Sequence, residues 1–322
     1  MKTAFISCLL LASLLGAHAQ TPRLEQTIDL PGVEGRIDHM SMDVAGKRLF
    51  VAALGNNTVE VIDLKQGKAA ATIRGVSEPQ GICFVPDANV LVVANAADGR
   101  CLFYDGTTYT PLGSLSFGDD ADNVRYDSLN KRVLVGYGSG AIAVINPTTR
   151  EVTATIPVGA HPESFQIDPA SPRLFVNLPT THGLSVVDLK QNKVVGGLSL
   201  ELAAGNFPMA LDAANHRLFV GCRIPARLLV FNTETGGKLM TLPLHGDCDD
   251  VFYDPARKQV YASCGEGSLD VYAQADANHC ALKDSVATVP GARTSFFDGN
   301  SIYVAEPAAS TSSAKILVFT LK

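Results

Sequence analysis

The sequence predicts an all-β fold, a seven-bladed β-propeller with four strands in each blade. The first observation is a repeated apolar strand segment, "RLFV" and its variants, whose first apolar residue falls at Leu49, Leu91, Val133, Leu174, Leu218, Val260 and Ile302. Successive positions lie 42, 42, 41, 44, 42 and 42 residues apart. A period of this length in short β-rich segments is typical of propeller blades.

The second observation is that the repeated unit divides into four strands, which we label A to D. In the first complete unit these are "DHMSMD", "KRLFVAAL", "TVEVIDL" and "AAATIRGV", separated by the turns "VAGK", "GNN" and "KQGK". β-Branched and aromatic residues favour the strands, whereas Gly, Asn and Asp favour the turns. A polar residue that can bond to backbone two residues on recurs after strand C, at Asp63, Asp105, Asn146, Asp188 and Asn232. We interpret these five residues as structural turn formers.

The third observation concerns the two ends of the chain. The seventh unit supplies strands A, B and C and then stops, while "RLEQTIDLPG" at residues 23–32 matches the strand D sequence "REVTATIPVG" at 150–159. We therefore expect the N-terminal strand to pair with the C-terminal blade and close the ring. Such closure removes the open sheet edges at which chains aggregate.

The first 19 residues predict a secretory signal peptide. Lys2 precedes an apolar stretch from Ala4 to Leu15, and Ala17-His18-Ala19 supplies a small-x-small cleavage site after Ala19. We expect residues 20–322 to form a single propeller domain, secreted or periplasmic and monomeric. No later segment offers about 18 uninterrupted apolar residues for a membrane span.

Composition argues against a nucleic-acid partner. The chain has 32 Asp and Glu against 26 Lys and Arg, and it contains no run of basic residues. It also lacks tryptophan and the C-x-x-C-H sequence of covalent haem attachment. No cofactor is indicated by a sequence motif.

The segments "NNTVEVIDLKQGKAAATIRGV" and "AIAVINPTTREVTATIPVGAHP" resemble the repeats of the YVTN-repeat β-propeller family. The resemblance extends from about Leu24 to Lys322, although no unit spells Y-V-T-N and the nearest segments are "LFVA" and "LFVN". It implies the propeller fold. It implies no particular activity, because the family is defined by its blades.

A functional site is expected where the D–A loops and the B–C hairpins gather around one mouth of the central channel, since such loops carry function on a rigid scaffold. Counting back from the inner strands gives the candidate ligand-binding residues Asp38, His39, Asp122, Asn123, Glu163, Asp249, Asp250 and Arg293. Gln80-Gly81 and Phe207-Pro208 occupy the equivalent positions of two further blades. Arg36, His161 and His245 are expected to supply positive charge on the same face.

Three interpretations of this face remain open. Asp38, Asp122, Glu163 and Asp249 could hold a cation, for which an all-oxygen ligand set favours calcium or magnesium. A small polar ligand could instead lie between the carboxylates and Arg293, or the rim could be merely wet and polar, with no ligand.

A catalytic alternative comes from fold relatives. Several seven-bladed propellers are lactonases that use a His, a Glu and an Arg at the channel mouth, and His161, Glu163 and Arg293 match these residue types. A His-x-Glu pair near an arginine could act as base, orienting group and carbonyl polariser. We thus expect an exported scaffold that binds a ligand or a protein through its channel mouth, with a lactonase-like hydrolase, with or without a divalent metal, as the alternative.

Six cysteines follow the predicted signal peptide. Cys248 is expected to form a disulfide with Cys264 across one hairpin, or with Cys222 of the preceding blade. Cys83 and Cys101 are interpreted as buried apolar residues, and no partner is identified for Cys280.

The last B–C hairpin, from Ala305 to Lys315, is longer than its counterparts and is either a lid or a mobile loop.

Overall fold

The computed structural model describes residues 21–321, and the predicted signal peptide therefore lies outside the described residues. It contains seven antiparallel sheets of four strands each. Two single 3-10 turns, Leu54–Asn56 and Pro179–Thr181, are the only helical segments among these residues. No helix within this range has the length and apolar character needed to cross a membrane.

The strands follow the chain blade by blade. Blade 1 contains β2 (Met40–Asp43), β3 (Arg48–Ala53), β4 (Thr58–Asp63) and β5 (Lys68–Ile73); blade 2 contains β6 (Pro79–Val85), β7 (Val90–Asn95), β8 (Arg100–Asp105) and β9 (Pro111–Ser116); blade 3 contains β10 (Ala121–Asp127), β11 (Arg132–Tyr137), β12 (Ala141–Asn146) and β13 (Glu151–Pro157); blade 4 contains β14 (Phe165–Ile167), β15 (Arg173–Leu178), β16 (Gly183–Asp188) and β17 (Lys193–Ser199). Blade 5 contains β18 (Ala204–Asp212), β19 (Arg217–Ile224), β20 (Ala226–Asn232) and β21 (Lys238–Pro243); blade 6 contains β22 (Cys248–Asp254), β23 (Gln259–Cys264), β24 (Ser268–Asp276) and β25 (His279–Ala287); blade 7 contains β26 (Ser295–Phe297), β27 (Ser301–Glu306), β28 (Ala314–Thr320) and β1 (Arg23–Leu30).

The predicted fold class and ring closure are confirmed. Strand β1 pairs antiparallel with β28, from Arg23 opposite Thr320 to Leu30 opposite Ala314. The sheet order β1-β28-β27-β26 shows that the N-terminal strand is the outer strand of blade 7. The two ends of the chain therefore share one sheet.

The core consists of apolar clusters between neighbouring blades. One of them joins blades 7 and 1 and includes Ile28 and Ile316 with Leu49 and Val51 of β3, all of them buried. Burial on both faces explains why the inner strands are continuous apolar runs, whereas an outer strand such as β5 alternates exposed and half-buried residues.

Arginines at the start of strand B connect blades to one another. Arg48 forms an ion pair with Asp43 at the end of strand A, and its Nη1 donates to the Gly106 carbonyl oxygen of blade 2 at 2.5 Å. The same contact with a carbonyl oxygen of the following blade is made by Arg132, Arg173 and Arg217. The charged end of the "RLFV" segment thus fastens one blade to the next.

The predicted turn residues adopt the expected role. The side-chain oxygen of Asp63 accepts from the backbone N–H groups of Lys65 and Gln66 at 2.8 and 3.0 Å. Equivalent pairs of hydrogen bonds are accepted by Asp105, Asn146, Asp188 and Asn232.

The predicted disulfide is wrong in this structure, although its geometric premise holds. Cys248 lies directly opposite Cys264 in the β22–β23 register, yet both are free, as are Cys222, Cys83, Cys101 and Cys280. Each thiol of the pair instead lies near a backbone carbonyl oxygen, that of Asp250 for Cys248 and that of Ala262 for Cys264. Burial raises the pKa of Cys248 well above its ordinary value, which keeps the thiol protonated and unreactive.

The long hairpin between β27 and β28 packs beside the channel mouth. Ala308 contacts the cluster that joins blades 7 and 1, and Ala309 forms an isolated bridge with Ser312. Pro307 and Ala308 also border a cavity of about 280 Å³ that includes Arg36 and Arg293.

Replacing Ile28 with alanine tests the importance of ring closure. Ile28 is 1% exposed and lies opposite Ile316, so Ile28→Ala should lower the free energy of unfolding by about 2–5 kcal/mol. Leu24 on the same strand is 48% exposed, and Leu24→Ala is the matched control with little expected effect. Urea unfolding of both variants gives the comparison. Equal stability of the two would show that the Ile28 side chain does not stabilise the closed ring.

Candidate functional site

A polar cavity of about 230 Å³ lies at the channel mouth, and every blade contributes a side chain to it. Seven of the lining residues occupy the repeated position near the start of strand A: Asp38, Gln80, Asp122, Glu163, Phe207, Asp249 and Arg293. The remaining lining residues are Arg36, His39, Asp120, Asn123, His161, Ser164 and Arg223. We call this space the mouth cavity.

Irregular pairing at the start of strand A directs these side chains toward the channel. In blades 2, 3, 5 and 6 the register of strands A and B shifts at this point, between residues 79 and 82, 121 and 124, 206 and 209, and 248 and 250. An extra residue in one strand disrupts the ladder locally and re-aims a side chain. In blade 4, where β14 begins later, the backbone N–H of Glu163 donates to Asn177 O at 3.1 Å and holds the same position.

Two glycines allow backbone segments around the mouth cavity to approach each other closely. A Cβ atom on Gly81 would lie 1.8 Å from the carbonyl oxygen of Asp122, and one on Gly136 would lie 3.0 Å from Pro162 Cγ. Only a residue without a side chain fits against Asp122 at the first position. The Asp122 backbone and the 161–163 segment are thereby packed tightly against their neighbours.

The acidic side of the mouth cavity is formed by blades 3 and 4. Asp122, His161 and Glu163 each offer a ligand atom, and no two of these atoms are more than 4.8 Å apart. His161 Nε2 lies 3.7 Å from Oδ2 of both Asp122 and Asp120. The neighbouring Asp122 raises the pKa of His161 to about 9, and burial followed by the charge of Asp122 raises the pKa of Glu163 to about 9.

The opposite side carries arginines that are paired with blade 6. Arg293 lies 2.9 Å from Asp247 through Nη1 and 3.0 Å from Asp249 through Nε. Arg223 Nη2 contacts Asp249 at 2.5 Å, and its guanidinium lies 4.0 Å from the centre of the Phe207 ring. These contacts fix both guanidinium groups. We therefore expect each of them to bind an acceptor group of a ligand in a defined geometry.

His39 links the mouth cavity to the channel below it. Its Nε2 lies 3.0 Å from Asn123 Nδ2 and 3.7 Å from Asp38, and its Nδ1 lies 3.8 Å from Asp250. Burial alone would lower the pKa of His39, but the carboxylates of Asp38, Asp250 and Asp122 together raise it. Burial also raises the pKa of Asp38, against the opposing effects of His39 and Arg36.

The structure brings together most of the sequence-predicted ligand-binding residues. Those that line the mouth cavity are Asp38, His39, Asp122, Asn123, Glu163, Asp249 and Arg293. Asp250 lies instead in a separate channel cavity of about 180 Å³, because consecutive strand residues point to opposite sides and its Oδ2 accepts from Ser295 N at 2.7 Å. His245 also lies elsewhere, where its Nδ1 contacts the buried Asp270 at 2.7 Å.

The residues predicted as metal ligands separate into two groups. Asp122 and Glu163 lie together and are joined by His161. Asp38 and Asp249 lie outside this cluster, since Asp38 pairs with Arg36 at 2.5 Å and Asp249 pairs with Arg223 and Arg293. The predicted catalytic residues are divided in the same way. His161 and Glu163 lie together, whereas Arg293 is paired with Asp247 and Asp249 of blade 6.

Sequence reasoning missed two arginines. Arg223 is the only charged residue at its position in the seven units, where the equivalents are Leu54, Ala96, Gly138, Pro179, Gly265 and Pro307. Arg125 lines the channel cavity beside Asp250, at a repeat position that other blades fill with residues such as Ser41 and Cys83. In both cases the arginine differs from the residues at the equivalent position of the other units, and this difference could have identified it from the sequence.

Comparison with known proteins supports the architecture. No family model matches the chain. Among solved structures, it is similar to a chain of hydrazine synthase from Kuenenia stuttgartiensis, with a TM-score of 0.78, 18% identity, and coverage of 96% of this chain and 99% of that one. It is also similar to a chain in the crystal structure of a mitotic checkpoint complex, with a TM-score of 0.79, 14% identity, and coverage of 99% and 98%. At these identities the likeness shows the fold alone, and the protein is a seven-bladed β-propeller.

The buried carboxyl of Asp250 gives the stability of the protein a defined pH dependence. Burial raises its pKa to about 7, against the opposing effect of His39, while the unfolded value is near 3.8. The stability contributed by the neutral carboxyl is therefore complete below about pH 4 and is lost as the pH rises through about 7.

Asp250→Asn keeps an acceptor for the Ser295 N–H and removes this titration. We expect it to match the wild type near pH 4 and to exceed its free energy of unfolding by on the order of 1–3 kcal/mol at pH 8. Denaturant unfolding across this pH range provides the measurement. A variant less stable than the wild type at pH 8 would show that the ionised carboxylate stabilises the channel.

Proposed function

We propose that this protein is a ligand-binding module that takes one small polar molecule into the mouth cavity. The observation that supports this most directly is a pair of buried acceptor atoms. Oδ1 of Asp120 and Oδ1 of Asp122 have no hydrogen-bond partner among the described residues, and both residues line the mouth cavity. Buried polar atoms are nearly always paired, so these two call for a partner that enters from the cavity.

The free acceptors define one end of the ligand. Carboxylate oxygens accept hydrogen bonds, so the ligand must present donors to these two residues of blade 3, either hydroxyl groups or an amine. On the other side, Arg223 and Arg293 retain N–H groups beyond those engaged by blade 6, because each guanidinium has five. The favoured class is a small molecule with donors at one end and a carboxylate or carbonyl at the other, such as a hydroxy acid, a sugar acid or an amino acid.

Thermal unfolding with probes of this class tests the proposal. The mature protein is mixed, in the presence of EDTA, with gluconate, tartrate, lactate, serine and arginine, each tested separately. We expect at least one probe to raise the melting temperature, because a ligand that binds only the folded state stabilises it. The Asp122→Asn variant should lose most of that shift, since an amide is a weaker acceptor for a charged donor.

A surface carboxylate provides the matched control. Asp87 is about half exposed and pairs with Lys131 in blade 3, so Asp87→Asn should keep the full shift. The same shift in Asp122→Asn as in the wild type would place the ligand elsewhere. No shift with any of the five probes would count against a small-molecule site and favour a propeller that binds a protein partner.

A lactonase-like hydrolase is the second candidate function. The observation in its favour is the close grouping of His161 and Glu163 with Asp122. Against it, Arg293 is paired with Asp247 and Asp249 rather than with this group. If the protein were such an enzyme, Glu163→Ala would abolish hydrolysis of glucono-δ-lactone while the melting temperature stayed the same. For a binding module, we expect the wild type and the variant to show only the uncatalysed rate.

Export and family membership belong to the same proposal. We propose that the chain is a monomeric YVTN-repeat propeller, secreted or periplasmic, released after Ala19. The repeat sequences and the N-terminal apolar stretch support this. Mass spectrometry of the chain recovered from the periplasm or the medium should show a first residue of Gln20, whereas retention of Met1 would contradict export by cleavage.

A further inference from the structure

The cluster on the acidic side of the mouth cavity has the composition of a metal site. Asp122, His161 and Glu163 offer two carboxylate oxygens and one imidazole nitrogen, and no two of these atoms lie more than 4.8 Å apart. Within residues 21–321 this is the only such group of three His, Cys, Asp or Glu residues. We propose that Asp122, His161 and Glu163 bind one divalent first-row transition-metal ion, with zinc as the representative ion.

The orientation of His161 is the first argument. Its Nδ1 lies 2.7 Å from the carbonyl oxygen of Gly138, so that Nδ1 carries the proton and donates it. Nε2 is then the ring nitrogen that remains for a metal ion, which would displace its proton, and it lies 3.7 Å from Oδ2 of Asp122. Metal-binding histidines almost always donate their second ring N–H to a carbonyl or carboxylate in this way, which fixes the tautomer and the ring orientation.

The unpaired oxygen of Asp122 is a second and independent argument. Asp122 is 3% exposed, and its Oδ1 has no hydrogen-bond partner among the described residues. His161 Nε2 faces the other oxygen, Oδ2, so Oδ1 is left as a buried acceptor that is costly unless a cation or a donor reaches it. The Asp122 backbone is tightly packed against Gly81, and this packing holds the residue at the cavity.

The ligand set also indicates which metal fits. Two carboxylates alone would suit calcium or magnesium, but an imidazole nitrogen shifts the preference to zinc and its first-row neighbours. Zinc bonds to His nitrogen and to Asp or Glu oxygen at about 2.0–2.2 Å, which requires ligand atoms roughly 3–4 Å apart. The three side chains need only small rotations to reach that spacing.

Three protein ligands leave at least one coordination position open toward the mouth cavity. A bound molecule could supply a hydroxyl or carboxylate oxygen there, and this part of the inference rests on the proposed function. The metal site itself does not, because the three ligands belong to the protein. The two ideas can therefore fail separately.

Calorimetric titration of the chelator-treated mature protein with zinc chloride, in the absence of any organic ligand, tests the site. We expect one ion per chain, and an affinity at least tenfold lower in His161→Gln and in Glu163→Gln. His279→Gln is the matched control, since His279 also lies beside a carboxylate but is 76% exposed on blade 6. It should bind zinc as the wild type does.

A spectroscopic readout distinguishes ligation from a structural effect of the substitutions. Cobalt bound in place of zinc should give visible absorption bands that are changed or lost in His161→Gln and retained in His279→Gln. Should His161→Gln fail to fold, the isosteric Glu163→Gln carries the same test. Absence of zinc binding by the wild type, or unchanged affinity and spectra in the folded variants, would overturn the proposal. The ligand screen is performed in EDTA, so its result stands whichever way the metal test falls.

Discussion

Each blade buries its two faces only against neighbouring blades, so the whole fold depends on the ring being closed. The β1–β28 pairing provides that closure, because it supplies the fourth strand of blade 7 from the other end of the chain. The cluster around Ile28 and Leu49 then seals the junction between blades 7 and 1. Arginines such as Arg48 add a polar fastening between successive blades. A closed ring in turn fixes the seven rim positions relative to one another.

This rigidity explains how a site can form from residues that are far apart in the sequence. Asp122 and Glu163 come from different blades, yet both are placed by backbone contacts at the start of strand A. The charged groups on the two sides of the mouth cavity differ in how free they are to bind a ligand or an ion. Arg223 and Arg293 are paired with blade 6, whereas Asp122 keeps an unpaired oxygen. The asymmetry is what directs the proposed ligand and the proposed ion to blades 3 and 4.

The repeat period made the fold and the rim positions predictable from the sequence. The contacts between side chains could not be predicted in this way, since they depend on the local bulges and on contacts across blades. Asp249 and Asp250 are adjacent in the sequence but line different cavities. His161 was predicted by residue type alone, and its hydrogen bond to Gly138 depends on a hairpin 23 residues earlier. Cys248 and Cys264 were correctly placed opposite each other, but register alone does not decide whether two thiols are oxidised.

We propose that the closed ring assembles a specific site at its channel mouth. A crystal structure of residues 20–322 grown with zinc, with anomalous data collected at the zinc edge, tests this most directly. We expect one strong peak per chain, about 2.0–2.2 Å from His161 Nε2 and from carboxylate oxygens of Asp122 and Glu163. Peaks confined to exposed histidines such as His279, with His161 still lying between Asp120 and Asp122, would contradict it.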